Sequence, residues 1–169
     1  LSGIRIRKAE PADTDKLAEL GYRAWHDGIL PLLPSAPGAK QAERHRLHQA
    51  VVELLDRIIV VDVNGQPMGW CARSKRRSYI PYLLISPEAQ SQGLGAMLLK
   101  RMESIMELEG ADRVELETPA DNVRAVRFYE KQGYRILAMR ADNAHAHLAF
   151  MRVHLEKRLN PYFGNIGDL

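Results

Sequence analysis

Apolar and charged positions alternate from the first residues. In IRIRKA, Ile4 and Ile6 fall between Arg5 and Arg7, the period of a half-buried strand. In PADTDKLAELGYRAW the period lengthens to helical spacing at Leu17, Leu20 and Trp25, with Asp13 as a possible cap. Gly28, Pro31, Pro34 and Pro37 cannot continue that helix, so GILPLLPSAPG reads as a functional loop or lid. A second helix is expected over about Lys40 to Asp56. RIIVVDVNGQPMGWCARS follows, where Asn64-Gly65 between two apolar runs signals a hairpin. SYIPYLLIS makes a further strand ending at Pro87.

Leu94, Met97, Leu98, Met102, Ile105 and Met106 recur at steps of three and four, an amphipathic helix that Gly110 stops. RVELET alternates Val114 and Leu116 as a strand. Asp121 or Asn122 can cap a helix running to about Gln132, which Gly133 ends. YRILAMR and HLAFMRVHL complete about seven strands. Residues 1–154 therefore read as one α+β domain with interleaved strands and helices, and residues 155–169 as a mobile or partner-docking tail.

Composition narrows the classes. A chain of 169 residues has room for one core and one main site. No apolar run approaches the roughly 18 residues of a membrane span, and 46% hydrophobic with 27% charged residues is the balance of a soluble protein. Cys71 is alone, which excludes an internal disulfide, and the N-terminal strand does not read as a signal peptide. A cytoplasmic location is expected. Net charge is +3 and the pI about 9.1, so the surface mildly favours anionic ligands. With 7% aromatics and no basic stripe, neither nucleic acid nor membrane is expected as a partner.

The stretch ISPEAQSQGLGAML runs from a strand through Gly93 and Gly95 into a helix. Unpaired first-turn amides and the helix dipole make such a junction an anion site, but glycines also serve a tight turn alone. A P-loop would need a Lys after the second glycine, where Ala96 stands. A dinucleotide fingerprint would need a third glycine, where Leu98 stands. Gln90-Ser91-Gln92-Gly93-Leu94-Gly95 instead resembles the [RQ]xxGx[GA] signature of the GNAT superfamily of acyl-CoA-dependent N-acetyltransferases. TPADNVRAVRFYEKQGYRI is similar to that family's next segment in Asn122, Ala125, Tyr129 and Gly133-Tyr134.

The resemblance implies a three-layer α/β/α fold, with a mixed, mostly antiparallel central sheet of about seven strands flanked by about four helices. It implies a coenzyme A pyrophosphate on the amides of Ser91, Gln92, Gly93, Leu94, Gly95 and Ala96, with Gln90 standing where many members carry Arg. Leu83, Leu84 and Ile85 would pair with the pantetheine arm as an added strand. Asn122 would bind the coenzyme or cap its helix. Lys100, Arg101, Arg124 and Arg127 on the flanking helices are candidates for an outer phosphate.

Acetyl transfer from acetyl-CoA to a primary amine needs a base for the amine, an oxyanion donor and an acid for the departing thiolate. Tyr129 is the expected acid, by resemblance to the family motif. Glu117, at a strand end, is the preferred base, although a structural carboxylate reads equally well; Asp142, His145 and His147 are weaker candidates. The acceptor, a small-molecule or peptide amine, is expected beside Trp25, His26 and Asp27 of the first helix-loop segment together with the last hairpin, since the resemblance implies that these elements lie opposite the coenzyme, although Trp25 reads equally well as core. A homodimer is possible. A catalytically silent acyl-CoA sensor of the same fold is the alternative.

Other groups attract chemistry less. RSKRRS, with Arg73, Lys75, Arg76 and Arg77, lies about eight residues of strand, roughly 26 Å, from the glycine loop. It reads as a solvated turn, or else as a contact for an acidic acceptor or partner. His45 with His48, and His145 with His147, lack a matching carboxylate or Cys, so no metal is expected. Cys71 reads as a small buried residue.

Overall fold

A computed structural model describes residues 3–76, 78–142 and 150–159. Seven strands and four α-helices follow in the order β1 (Ile4–Lys8), α1 (Thr14–Gly28), α2 (Ala39–Glu53), β2 (Ile58–Val63), β3 (Gln66–Ala72), β4 (Tyr82–Ile85), α3 (Leu94–Leu108), β5 (Arg113–Pro119), α4 (Val123–Lys131), β6 (Arg135–Asp142) and β7 (Phe150–Arg158). The expected single sheet is divided. β1-β2-β3-β4 form one antiparallel sheet and β5-β7-β6 another. They meet at a lone parallel bridge between Tyr79 and Glu115, made by Ile80 N donating to Glu115 O at 3.0 Å and Glu115 N donating to Ser78 O at 2.6 Å.

The IIVV run is continuous because both faces of its strand are covered. Ile59 and Val61 of β2 and Cys71 of β3 pack with α3, β5 and β7, through Leu98, Leu99, Met102, Leu116 and Leu155. Ile58, Val60, Trp70 and Ala72 face the other way, onto Leu17, Leu20 and Trp25 of α1 and Leu47 and Val51 of α2. Helices thus lie on both sides of β1–β4. Trp70 also donates its indole N–H to Leu17 O at 2.9 Å. A Cβ on Gly21 would stand 3.1 Å from both Trp70 and Leu84, so α1 packs closely on β3 and β4.

Two boundaries shift. α2 ends at Glu53, because Leu55–Arg57 tighten into a 3-10 turn that feeds Ile58 into β2. β7 continues through Arg158, so the proposed tail boundary at 155 cuts a strand: Leu155 is fully buried against β5 and β6. The remainder of that tail, from residue 160, lies outside the described residues. No helix among the described residues is long and apolar enough to cross a membrane.

Candidate active site

Beyond the Tyr79–Glu115 bridge no further pairing joins β4 to β5, and the two strands part. Ser86 N donates to Met68 O at 2.8 Å, which sets the phase of the β3–β4 ladder. Residues 82, 84 and 86 exchange their bonds with β3, and by antiparallel alternation the N–H and C=O of Leu83 and Ile85 turn toward the opening. Leu84 departs from expectation. Its backbone faces Trp70 and its side chain packs with the α1 core, so only Leu83 and Ile85 offer backbone groups to an added strand.

The glycine loop closes one end of this opening. Ser91 and Gly93 both take positive φ, at 64° and 83°, and Gly93 caps α3 from the left-handed region. The first helical bond runs from Met97 N to Gly93 O at 3.1 Å, which leaves the amides of Leu94, Gly95 and Ala96 without a helical acceptor. A Cβ on Gly93 would meet nothing within 4 Å, so the space above it is open. Gln90 does not stand over this cradle: its amide donates to Ile85 O at 3.2 Å. The cation comes from α4, where Arg124 donates to Ser91 Oγ at 2.5 Å and to Gln90 Oε1 at 3.4 Å. Backbone donors, a helix dipole and one guanidinium suit a pyrophosphate. Lys100, Arg101 and Arg127 lie exposed on α3 and α4, with no such contact to the loop.

Asn122 accepts from Ala125 N at 3.3 Å and donates to Thr118 Oγ1 at 3.4 Å, which ties the start of α4 to β5. That cap fixes Phe128 and Tyr129 about two turns later. Phe128 reaches the α3 N-terminus, 3.5 Å from where a Gly95 Cβ would lie. Tyr129 stacks edge-on to Phe128 and Tyr134, at 5.1 and 5.6 Å between ring centroids. Burial, and then the nearby Cys71 and Tyr79, push its phenol well above the ordinary tyrosine range, so it holds its proton. Burial likewise raises the thiol of Cys71, which is fully enclosed in the core as expected.

Glu117 lies on the β5 face turned away from Leu116 and α3. It faces His154 of β7 in register, with Oε1 3.4 Å from Nδ1, while Glu115 Oε1 lies 3.6 Å from the Nε2 of the same ring. Neither ring nitrogen is hydrogen-bonded in this arrangement, and both are buried. Glu115, Glu117 and His154 line a cavity of about 700 Å³ with Tyr79, Pro81 and Arg140. Burial, and then Glu117, raise the Tyr79 phenol. Tyr79 therefore lies within electrostatic reach of both Glu117 and Tyr129. Sequence reasoning passed over Tyr79 and His154, since only the strand register reveals them.

The acceptor candidates on α1 do not join this cavity. Trp25 is 6% exposed in the α1–α2 core, packed with Tyr22. His26 pairs with its neighbour Asp27 at 3.0 Å on the surface. In the RSKRRS turn, Lys75 and Arg76 are exposed, as a solvated turn requires, and they also border the cavity. Ser74 N donates to Tyr79 O at 2.9 Å, folding the turn back so that Lys75 and Arg76 line the cavity, while Arg73 is held bidentately by Glu109. Asp142 ends β6, while the side chain of Asp142 and all of Arg77, His145 and His147 lie outside the described residues. Among the described residues no three His, Cys, Asp or Glu side chains cluster to hold a metal.

Comparison with known proteins agrees with this architecture. Over 58 residues, 34% of this chain, the sequence is 38% identical to N-alpha-acetyltransferase 30 of Schizosaccharomyces pombe and 39% identical to mycothiol acetyltransferase of Beutenbergia cavernae. Those matches span 39% and 20% of the relatives' own lengths. The fold superposes with a TM-score of 0.76 on the PaiA N-acetyltransferase of Thermoplasma acidophilum in complex with coenzyme A, at 18% identity, covering 92% of this chain and 98% of that one. The family model of the GNAT acetyltransferases matches residues 23–134, which include the parted strands, the glycine loop and α4, and the chain belongs to that family.

Proposed function

We propose that the chain transfers an acetyl group from acetyl-CoA to a primary amine. The observation that carries this reading is the gap between β4 and β5, edged by the outward-turned backbone of Leu83 and Ile85, which has no strand partner there, with an anion cradle at one end and the Glu117 cavity beside it. In this reading the coenzyme supplies an activated acetyl thioester. The amides of Leu94, Gly95 and Ala96, with Arg124, hold its pyrophosphate. Leu83 and Ile85 align its arm by strand-like hydrogen bonds.

An amine enters as an ammonium from the Glu117 cavity, since its ordinary pKa is about 10.4. Glu117 takes one proton from it and returns that proton to solvent. The neutral nitrogen attacks the thioester carbon and the C–S bond breaks; Tyr129 gives its proton to the departing sulfur, for which a phenol kept protonated by burial is suited, and the second proton shed by the new amide nitrogen passes through solvent to restore the phenol.

The test is release of free thiol from acetyl-CoA with a panel of amines and peptides. Amine-dependent release is expected, falling roughly 10²-fold in Tyr129→Phe. Tight coenzyme binding by calorimetry with no amine-dependent release from any acceptor would instead make the chain a silent acyl-CoA sensor.

A further inference from the structure

The cavity beside Glu117 carries opposite charges on separate walls. Glu115 and Glu117 come from β5, with His154 between them. Lys75 and Arg76 come from the turn before Tyr79, and Arg140 from β6. Arg140 pairs in register with Arg152, two residues along β7 from His154 and so on the same face of the sheet.

None of Lys75, Arg76 and Arg140 has a carboxylate within ion-pair distance among the described residues, although Glu115 and Glu117 line the same cavity. Arg73, two positions before Lys75, is neutralised by Glu109, and the surface arginines Arg23 and Arg44 reach Glu88 and Glu19. Ser74 and Arg76 are tied to each other. The Ser74 hydroxyl donates to Arg76 O at 3.0 Å and accepts from Arg76 N at 3.1 Å. Cations and carboxylates that share a cavity without meeting leave room for a ligand that brings the complementary charge to each wall.

We infer that the acceptor is a small zwitterionic amine, a primary amine carrying a carboxylate or a comparable anionic group. Its ammonium lies against Glu117 and Glu115, and its anion against Arg140, Arg76 and Lys75. At about 700 Å³ the cavity falls within the roughly 300–1,000 Å³ of small-molecule sites. A diamine would set a second positive charge against three cations. A simple alkylamine would leave them unsatisfied. This inference rests on the acyl-transfer reading and adds the acceptor class to it.

The experiment compares ω-amino carboxylates of increasing chain length with the alkylamines and diamines of equal length, by thiol release and by calorimetric titration without the coenzyme. At one chain length the amino carboxylate should exceed its alkylamine at least tenfold in kcat/KM and in affinity. In Arg140→Gln and in Arg76→Gln that ratio should shrink several-fold, while the diamine should improve relative to the carboxylate. Equal use of alkylamines and amino carboxylates, or a ratio untouched by both substitutions, overturns the inference and leaves acetyl transfer standing. Selective binding of amino carboxylates that depends on Arg140, with no thiol release, supports the zwitterion site and overturns the transfer reading instead.

Discussion

Glu117 and His154 face each other across the β5–β7 pair, with the carboxylate Oε1 3.4 Å from the ring Nδ1, and Glu115 flanks the opposite ring nitrogen. Strand β5 presents Glu117 to the cavity from a rigid sheet rather than from a loop. As the proposed base, its replacement should matter most where the amine is almost all protonated. Glu117→Gln is expected to slow acetyl transfer by roughly 10²-fold at neutral pH. The gap to wild type should narrow as pH rises toward the amine's ordinary value of about 10.4, because free amine then accumulates without help. A pH–rate profile of both proteins measures this, and a gap that stays constant with pH contradicts the assignment.

Arg124 takes the place beside the glycine loop that Gln90 leaves without charge. Arg124→Gln should raise the KM for acetyl-CoA roughly tenfold, as expected for one charge-assisted hydrogen-bonding group, with little change in kcat. The salt dependence of coenzyme binding should flatten at the same time, since a point charge has been removed. Titrations at low and high ionic strength provide the check.

The two glycines of the loop do different work. Gly93 sits at φ 83° with open space around it, so Gly93→Ala costs backbone strain of about 1–2 kcal/mol and brings a methyl toward the cradle. Gly95 has helical φ, and a Cβ there meets Phe128 at an ordinary 3.5 Å. Gly95→Ala should keep activity and gain up to about 1 kcal/mol from reduced chain entropy. Thermal melts with acetyl-CoA titrations on both variants decide it; equal damage from the two would refute the distinction.

Far from the site, Arg7 bridges Asp13, through two hydrogen bonds of 2.8 and 2.9 Å, and Asp62 at 2.7 Å. Hydrogen bonding to Arg7 holds the Asp13 carboxyl below the usual carboxylate range. The stabilisation is therefore complete above the unfolded-state value of about 3.9 and is lost as pH falls through the lowered folded-state value. Asp13→Asn should cost about 1.5–3 kcal/mol at neutral pH, and its deficit against wild type should close only below about pH 4. Urea midpoints across that range test both the size and the sign.

The chain's own pattern determined much of this molecule. The alternation of Ile4 and Ile6, the helical spacing from Leu94 to Met106, the Asn64-Gly65 turn and the junction at Gly93 are local, and local periodicity dictates which face of each element must be buried. The junction and the Asn122–Tyr129 segment also carried the family resemblance, because their spacing along the chain is the motif. Trp25 was legible only as an alternative for a related reason: an aromatic at a helix end reads the same whether it lines a slot or fills a core, and its packing against α2 and β3 puts it in the core. What tertiary structure alone decided were relationships between distant strands. The parting of β4 from β5, the turning of Leu83 and Ile85 outward while Leu84 faces Trp70, the meeting of Glu117 with His154 and the folding of Lys75 and Arg76 over the same cavity all depend on register and sheet order. A one-residue slip would send each of those side chains to the opposite face, and nothing within a single strand fixes the partner it will meet.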